Sequence, residues 1–362
     1  MNLEIQKITS LGQSIWLDSI SREMLVSKKL KSLVDQGVTG VTSNPAIFQK
    51  ALSSENIYDS AINDLANKFG SDPKVIFQKI SIEDISSACD VLMDVFDRTE
   101  GKDGFVSIEI DPKFANNTDE SIKEGLMLNS SINKPNVMIK VPGTEAGMPV
   151  ITKLISLGIN VNVTLLFGRD MYIKSVKSYI SGLKLLKDSS PEKISKVNSV
   201  ASFFISRIDT AIDNSIENGD EGLKGEVAIA NAVLAYNDYL ELFASNDFKE
   251  LEKFGAKKQR LLWASTSVKN PEFDSLMYVK NLVAKETINT LPELTLDLIK
   301  NGNNSYEDKI KDKFIKSQNI IKSIEQKYSL NLITGKLLEN GVNLFINAFD
   351  ELLDELSIKI NK

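Results

Sequence analysis

Short apolar, β-branched runs alternate along this chain with longer stretches of helical periodicity, and that alternation limits the fold more tightly than any other feature. Runs read as strands lie at 14–18 (SIWLD), 37–43 (GVTGVTS), 104–110 (GFVSIEI), 136–140 (NVMIK) and 159–167 (INVNVTLLF). Three more fall at 196–204 (KVNSVASFF), 260–266 (RLLWAST) and 278–287 (YVKNLVAKET). Between the first two, Val26, Leu30, Leu33 and Val34 form one helical stripe over 22–36, with Ser21 as N-cap and Gly37 as stop. Eight strands separated by crossover helices predict a parallel α/β sheet closed into a (β/α)8 TIM-type barrel. An open doubly wound sheet is the competing architecture, and no strand–GxGxxG–helix fingerprint supports it.

Two helical additions to the barrel are expected. Residues 51–98 read as a helical insertion between the second and third strands, and the chain reads as purely helical from Ser305 onward. In that tail Leu338, Val342, Phe345, Phe349, Leu352 and Leu356 make one apolar face. Packing against the barrel is the favoured reading of this face, and a dimer surface is the alternative. No repeat, low-complexity tract or Pro/Gly-rich linker divides the chain, so one domain over 1–362 is expected.

Composition removes whole classes of chemistry. The chain has no histidine, and Cys89 is its only cysteine. Zinc sites draw mainly on these two residues, so a zinc hydrolase or zinc-dependent aldolase is nearly excluded. A triad with a histidine base is excluded outright. No disulfide can form within the chain, which fits a reducing cytoplasm, and Cys89 in SSACDVLM reads as a packed small side chain. The formal charge of −6 comes without a basic block, so nucleic acid is not an expected partner. No run approaches the roughly 18 apolar residues of a membrane span. The N-terminus lacks the pattern of a signal peptide. Acid–base work falls to Asp, Glu, Lys, Tyr or water.

Active sites of parallel barrels collect at the C-terminal ends of the strands. Here the apolar runs carry polar residues at or near those ends: Asp18, Asn44, Glu109, Lys140, Asn162 with Thr164, Ser202 and Ser265. Alternation puts Asn162 with Thr164, Met138 with Lys140, and Ser107 with Glu109 on shared faces. Taken singly, an Asn or Ser here is more often a turn or cap residue. Taken as a set, the strand ends point to chemistry. A lysine of ordinary pKa, ~10.4, is protonated and inert at neutral pH, but burial lowers that value. The neutral amine can attack a ketone, and the Schiff base then serves as electron sink for carbon–carbon cleavage. Asp18 and Glu109 are the carboxylates available to move protons. A carboxylate pair also suits glycoside hydrolysis, which the neighbouring lysine disfavours.

Positive charge for a phosphate is expected on two consecutive loops. Arg207 follows Ser202 at the start of the helix after the sixth strand, and Lys269 follows Ser265 in the loop after the seventh. The segment VPGTEAG after Lys140 lacks the GK[ST] ending of a P-loop, and Gly143 reads as a helix start.

The segments WLDSI, GVTSNPAIF, VSIEIDP, VMIKVPGTEAG, GINVNVTLLFG, SFFISRID and LWASTSVKNP, in this order over nearly the whole chain, resemble those of transaldolases. The tail ENGVNLFINAFDELL resembles the branch sometimes fused to a glucose-6-phosphate isomerase, a fusion for which this length leaves no room. The resemblance implies that Lys140 is the Schiff-base lysine and Asp18 the group that deprotonates the C4 hydroxyl during retro-aldol cleavage. It implies that Glu109 and Thr164 hold a catalytic water, and that Asn44 and Asn162 bind substrate hydroxyls. Ser202 would line the ketol pocket, with Arg207 and Ser265 in the phosphate site. Many transaldolases carry arginine where this sequence has Lys269; lysine binds phosphate as a point charge without the bidentate fork.

The implied activity is transfer of a dihydroxyacetone unit between sugar phosphates in the non-oxidative pentose phosphate pathway, with no metal or cofactor. A class I aldolase releasing free dihydroxyacetone and a catalytically inactive barrel kept for binding remain as alternatives. Monomer and homodimer are both open.

Overall fold

In the computed structural model, which describes residues 1–54, 56–213, 216 and 221–361, eight parallel strands close into a barrel in sequence order. They are β1 (Gln13–Leu17), β2 (Gly40–Val41), β3 (Phe105–Glu109), β4 (Val137–Pro142), β5 (Val161–Leu166), β6 (Ser199–Phe204), β7 (Arg260–Ala264) and β8 (Thr287–Leu291). β8 returns to β1 in register from Gln13↔Thr287 to Leu17↔Leu291, and helices surround the barrel. The (β/α)8 expectation holds. The strands are apolar, β-branched and buried on both faces, as parallel strands covered by helices must be.

The inside of the barrel is filled in layers. At the bottom, Asp103 accepts hydrogen bonds from Ser14 Oγ (2.7 Å), the Trp16 indole (2.9 Å) and Arg260 (3.0 Å). Trp16 lies so close to β2 that a Cβ on Gly40 would sit 2.4 Å from its ring, so only glycine fits there. In the middle, Asn162 donates to Ser107 Oγ (3.0 Å) and accepts from Ser202 Oγ (2.7 Å). Each buried polar group answers another, which keeps this layer from costing stability. Because side chains alternate along a strand, Ser14 and Trp16 on β1 carry Asp18 to the top of the same face.

Several sequence expectations need correction. The eighth strand lies at Thr287–Leu291; most of 278–287 is instead the short helix Met277–Asn281 and a connecting segment. Tyr278, Val279, Leu282 and Val283 are buried, and a short apolar run of that kind suits helix and strand equally. The helix expected over 22–36 is two helices, Arg22–Val26 and Lys29–Gln36, broken at Lys28 with φ 61°. The break removes Val26 from the stripe and leaves it 67% exposed, while Leu30, Leu33 and Val34 stay buried. Ser21 does cap, accepting from the Met24 amide, and Gly37 does stop the second helix at φ 117°. Only Gly40–Val41 of 37–43 is strand. Gly143 starts no helix: its amide donates to the Thr164 carbonyl (2.7 Å) in the turn leaving β4, and the helix begins at Gly147.

The insertion is helical as expected and opens slightly earlier, with helices Pro45–Ser54, Asp59–Phe69 and Pro73–Arg98. Cys89 is packed inside the last of these. Residues 305–309 are not helical; Asn304 is tied to Glu4 and Lys7, and helices resume at Lys311–Lys313, Phe314–Lys327 and Leu330–Ile360. The face Val342, Phe345, Phe349, Leu352 and Leu356 is buried, with Leu338 partly so. It packs on the insertion and on the end of β5, so the favoured reading of that face holds. Among the described residues no helix is long and apolar enough to cross a membrane.

Candidate active site

Lys140 stands at the top of β4, and the ladder register sets its neighbours: Glu109 beside it on β3 and Asn162 on β5. The ammonium donates to the Ser43 carbonyl (2.8 Å) and to Glu109 Oε2 (3.2 Å). Both side chains are nearly out of water, 6% and 4% exposed for Lys140 and Glu109. Burial pushes the Glu109 carboxyl above its ordinary range, with the Asp18 charge adding to that and Lys140 opposing it. The Asp18 carboxyl is likewise raised by burial, against the Thr42 hydroxyl and the Lys140 charge. Two carboxyls thus hold protons more readily than usual beside one amine, a setting suited to proton transfer.

Asp18 is itself held. Thr42 Oγ1 donates to Asp18 Oδ1 (2.7 Å) and lies 2.7 Å from Thr290 Oγ1. Since the carboxylate can only accept, Thr42 spends its proton on Asp18 and Thr290 donates to Thr42. Nearby, Glu109 Oε1 and Thr164 Oγ1 are buried and lack a hydrogen-bond partner among the described residues. Leu165, which follows Thr164, has φ 59° at a register shift in β5, and Ser265 at the end of β7 has φ 55°. Left-handed backbone at non-glycine residues is costly, about 1–3 kcal/mol each, and clusters at functional sites.

Eight of the ten residues singled out from the sequence line one cavity of about 190 Å³: Asp18, Asn44, Lys140, Thr164, Ser202, Arg207, Ser265 and Lys269. Glu109 joins them through Lys140. Asn162 is fully buried one layer below, bonded to Ser202, and does not line the cavity. Arg207 is on the helix Ser206–Asp213, whose first amide donates to the Ser265 carbonyl (3.0 Å), so the loops after β6 and β7 are joined. Neither Arg207 nor Lys269 has an ion-pair partner among the described residues. Burial lowers the Arg207 pKa, and its guanidinium lies 5.6 Å from the Phe204 ring. Arg207 and Lys269 thus line the same cavity as Lys140, and neither cation is neutralised there by an ion pair among the described residues.

Sequence reasoning missed Thr42, Thr290, Ser267 and Phe345, all of which line the cavity, and the Ser43 carbonyl that receives Lys140. Thr42 was in view beside Asn44 in GVTSNPAIF. Thr290 lies on an eighth strand that the apolar run at 278–287 does not mark, and Phe345 reads in the sequence as one residue of an apolar packing face.

Fold and site together define a closed parallel α/β barrel with a buried lysine–carboxylate centre at its C-terminal mouth. Residues 15–356 match the model of the Transaldolase/Fructose-6-phosphate aldolase family, and the chain belongs to that family. It is 39% identical to a transaldolase of Trichodesmium erythraeum over 98% of this chain and 97% of that one. Identity is 40% with transaldolase 2 of Streptomyces coelicolor, covering 99% of this chain and 97% of the relative. With a transaldolase of Mycobacterium tuberculosis it is 38%, over 98% and 96%.

Proposed function

We propose that this chain is a transaldolase whose Schiff base forms on Lys140, and the observation that carries this is the buried amine in contact with Glu109 and sharing a cavity with Asp18. Glu109, with its raised carboxyl, takes the ammonium proton and leaves a neutral nucleophile. The amine adds to the ketone of fructose 6-phosphate or sedoheptulose 7-phosphate, and the carbinolamine loses water to give an iminium. Glu109 Oε1 and Thr164 Oγ1 are two unpartnered buried oxygens available to hold that water. Asp18, steadied by Thr42, takes the C4 hydroxyl proton; the C3–C4 bond breaks, its electrons pass to the iminium, and an aldose phosphate leaves. The enamine on Lys140 then adds to glyceraldehyde 3-phosphate or erythrose 4-phosphate, reversing the steps.

Asn44 and Ser202 meet the sugar hydroxyls, and Asn162 acts through Ser202. Arg207, Ser265 and Lys269 receive the phosphate, with Lys269 as a point charge. A cytoplasmic setting in the pentose phosphate pathway goes with this reading. The test is release of glyceraldehyde 3-phosphate from fructose 6-phosphate, followed by coupled NADH oxidation, with and without erythrose 4-phosphate. Release that depends on the acceptor supports ketol transfer. Release without it means an aldolase, and the absence of any borohydride-trapped adduct would overturn Lys140.

A further inference from the structure

The C-terminal helix Leu330–Ile360 does more than cover apolar surface. Its Phe345 lies with the ring centroid 5.8 Å from Lys140 Nζ and lines the same cavity as Asp18, Thr164 and Arg207. One turn earlier, Gly341 lets the helix descend this far. A Cβ there would meet Leu165 at 3.0 Å and stand 3.7 Å from Arg207 Nη1. The helix is held by the insertion between β2 and β3: Phe349 meets Phe77 edge-on (5.6 Å), Phe77 meets Phe48 (5.5 Å), and Glu355 accepts from Gln49 (2.9 Å) and Ser53. Lys113–Asp350 and Lys359–Asp59 ion pairs add further ties. Insertion and tail thus form one support, and the apolar group it presents to the amine is Phe345, itself only 7% exposed.

We propose that Phe345 is a specificity-determining residue that keeps bulk water, beyond the single water held by Glu109 and Thr164, from the enamine on Lys140 and so decides between transfer to an aldose and release to water. The inference rests on the transaldolase reading of the site. The enamine on Lys140 has two fates. It can attack an aldose carbonyl, or it can take a proton from solvent water at its terminal carbon and become the iminium of dihydroxyacetone, leaving hydroxide. Water then adds at C2, the C–N bond breaks, and free dihydroxyacetone leaves with the amine restored. No other reactant is needed. An apolar ring over the nitrogen admits the iminium cation, whose charge its face favours, while occupying space from which water would approach.

The experiment is a series, Phe345→Leu, Phe345→Val and Phe345→Ala, with acceptor-free turnover of fructose 6-phosphate measured against transfer to erythrose 4-phosphate. The borohydride-trapped adduct on Lys140 is measured alongside. The ratio of acceptor-free turnover to transfer should climb as the side chain shrinks, by roughly tenfold at alanine, and leucine should stay near the native ratio. A ratio flat across every variant that still forms the adduct overturns the proposal, even if both rates fall. Should alanine fail to fold, leucine and valine still give the trend. Native protein that neither transfers nor traps would instead defeat the reading of the site, so the two failures are told apart.

Discussion

Replacing Lys140 by Met removes the amine while keeping most of its volume, and the electrostatics of the site set what that does to stability. In the native protein the ammonium sits 3.2 Å from Glu109, and both groups are almost completely buried. Breaking a buried pair while its partner stays charged costs about 3–5 kcal/mol. Glu109 and Asp18 need not stay charged, because burial already raises both carboxyls and Lys140 is a group that lowers them. In the variant both should rise further. A carboxyl raised on folding favours the folded state when protonated and loses that contribution as pH climbs through its folded pKa. The deficit of Lys140→Met should therefore be smallest in acid, where the carboxyls are protonated in both states, and should grow as pH rises through their folded values, by ~1.4 kcal/mol per unit of added shift. Urea unfolding of both proteins across that range measures it, and borohydride reduction with fructose 6-phosphate shows whether an adduct remains. An equal deficit at both ends refutes the electrostatic argument. An adduct that survives refutes Lys140 as the nucleophile.

Thr42→Val removes the hydroxyl that lowers Asp18, so the acidic limb of the kcat profile should move to higher pH; an unmoved limb would deny Asp18 its role. Arg207→Ala should raise KM for fructose 6-phosphate by roughly 10- to 100-fold while dihydroxyacetone, which has no phosphate, is trapped on Lys140 as before. Equal loss for both ligands would place Arg207 outside the phosphate site. Asp209 is raised by burial to about 7 and accepts from the Tyr278 hydroxyl (2.8 Å) and the Ala228 amide (2.7 Å). Its contribution is present in acid and lost as pH rises toward 7, so Asp209→Asn should flatten the fall of stability between about pH 4 and 7 in denaturant titrations. An unchanged slope would show that Asp209 titrates alike in the folded and unfolded chain and is not raised by burial.

Local pattern made much of this protein legible. Seven of the eight strands are where their apolar runs suggested, because a strand buried on both faces must be apolar wherever it occurs. Lys140, Glu109 and Asp18 stood out because a charged side chain closing such a strand needs a reason, and strand ends of a parallel barrel share one mouth. The ends of 22–36 were legible in Ser21 and Gly37, whereas the break at Lys28 was not, since nothing in a lysine announces a left-handed φ. The short helix at Met277–Asn281 was hidden for a related reason: tertiary burial, rather than periodicity, makes that run apolar.

The residue types, their order along the strands and the absence of histidine are therefore read from the sequence itself, and with them the chemistry to which the strand ends point. Only the folded chain decided which distant segments meet. Thr290 reaches Thr42 because β8 closes on β1, and Phe345 reaches Lys140 because the tail docks on an insertion some 300 residues away in sequence, as the Lys359–Asp59 pair shows. Contacts of that separation leave no periodic trace in the chain. They follow from closure of the barrel and from which apolar faces remain to be buried once it has closed.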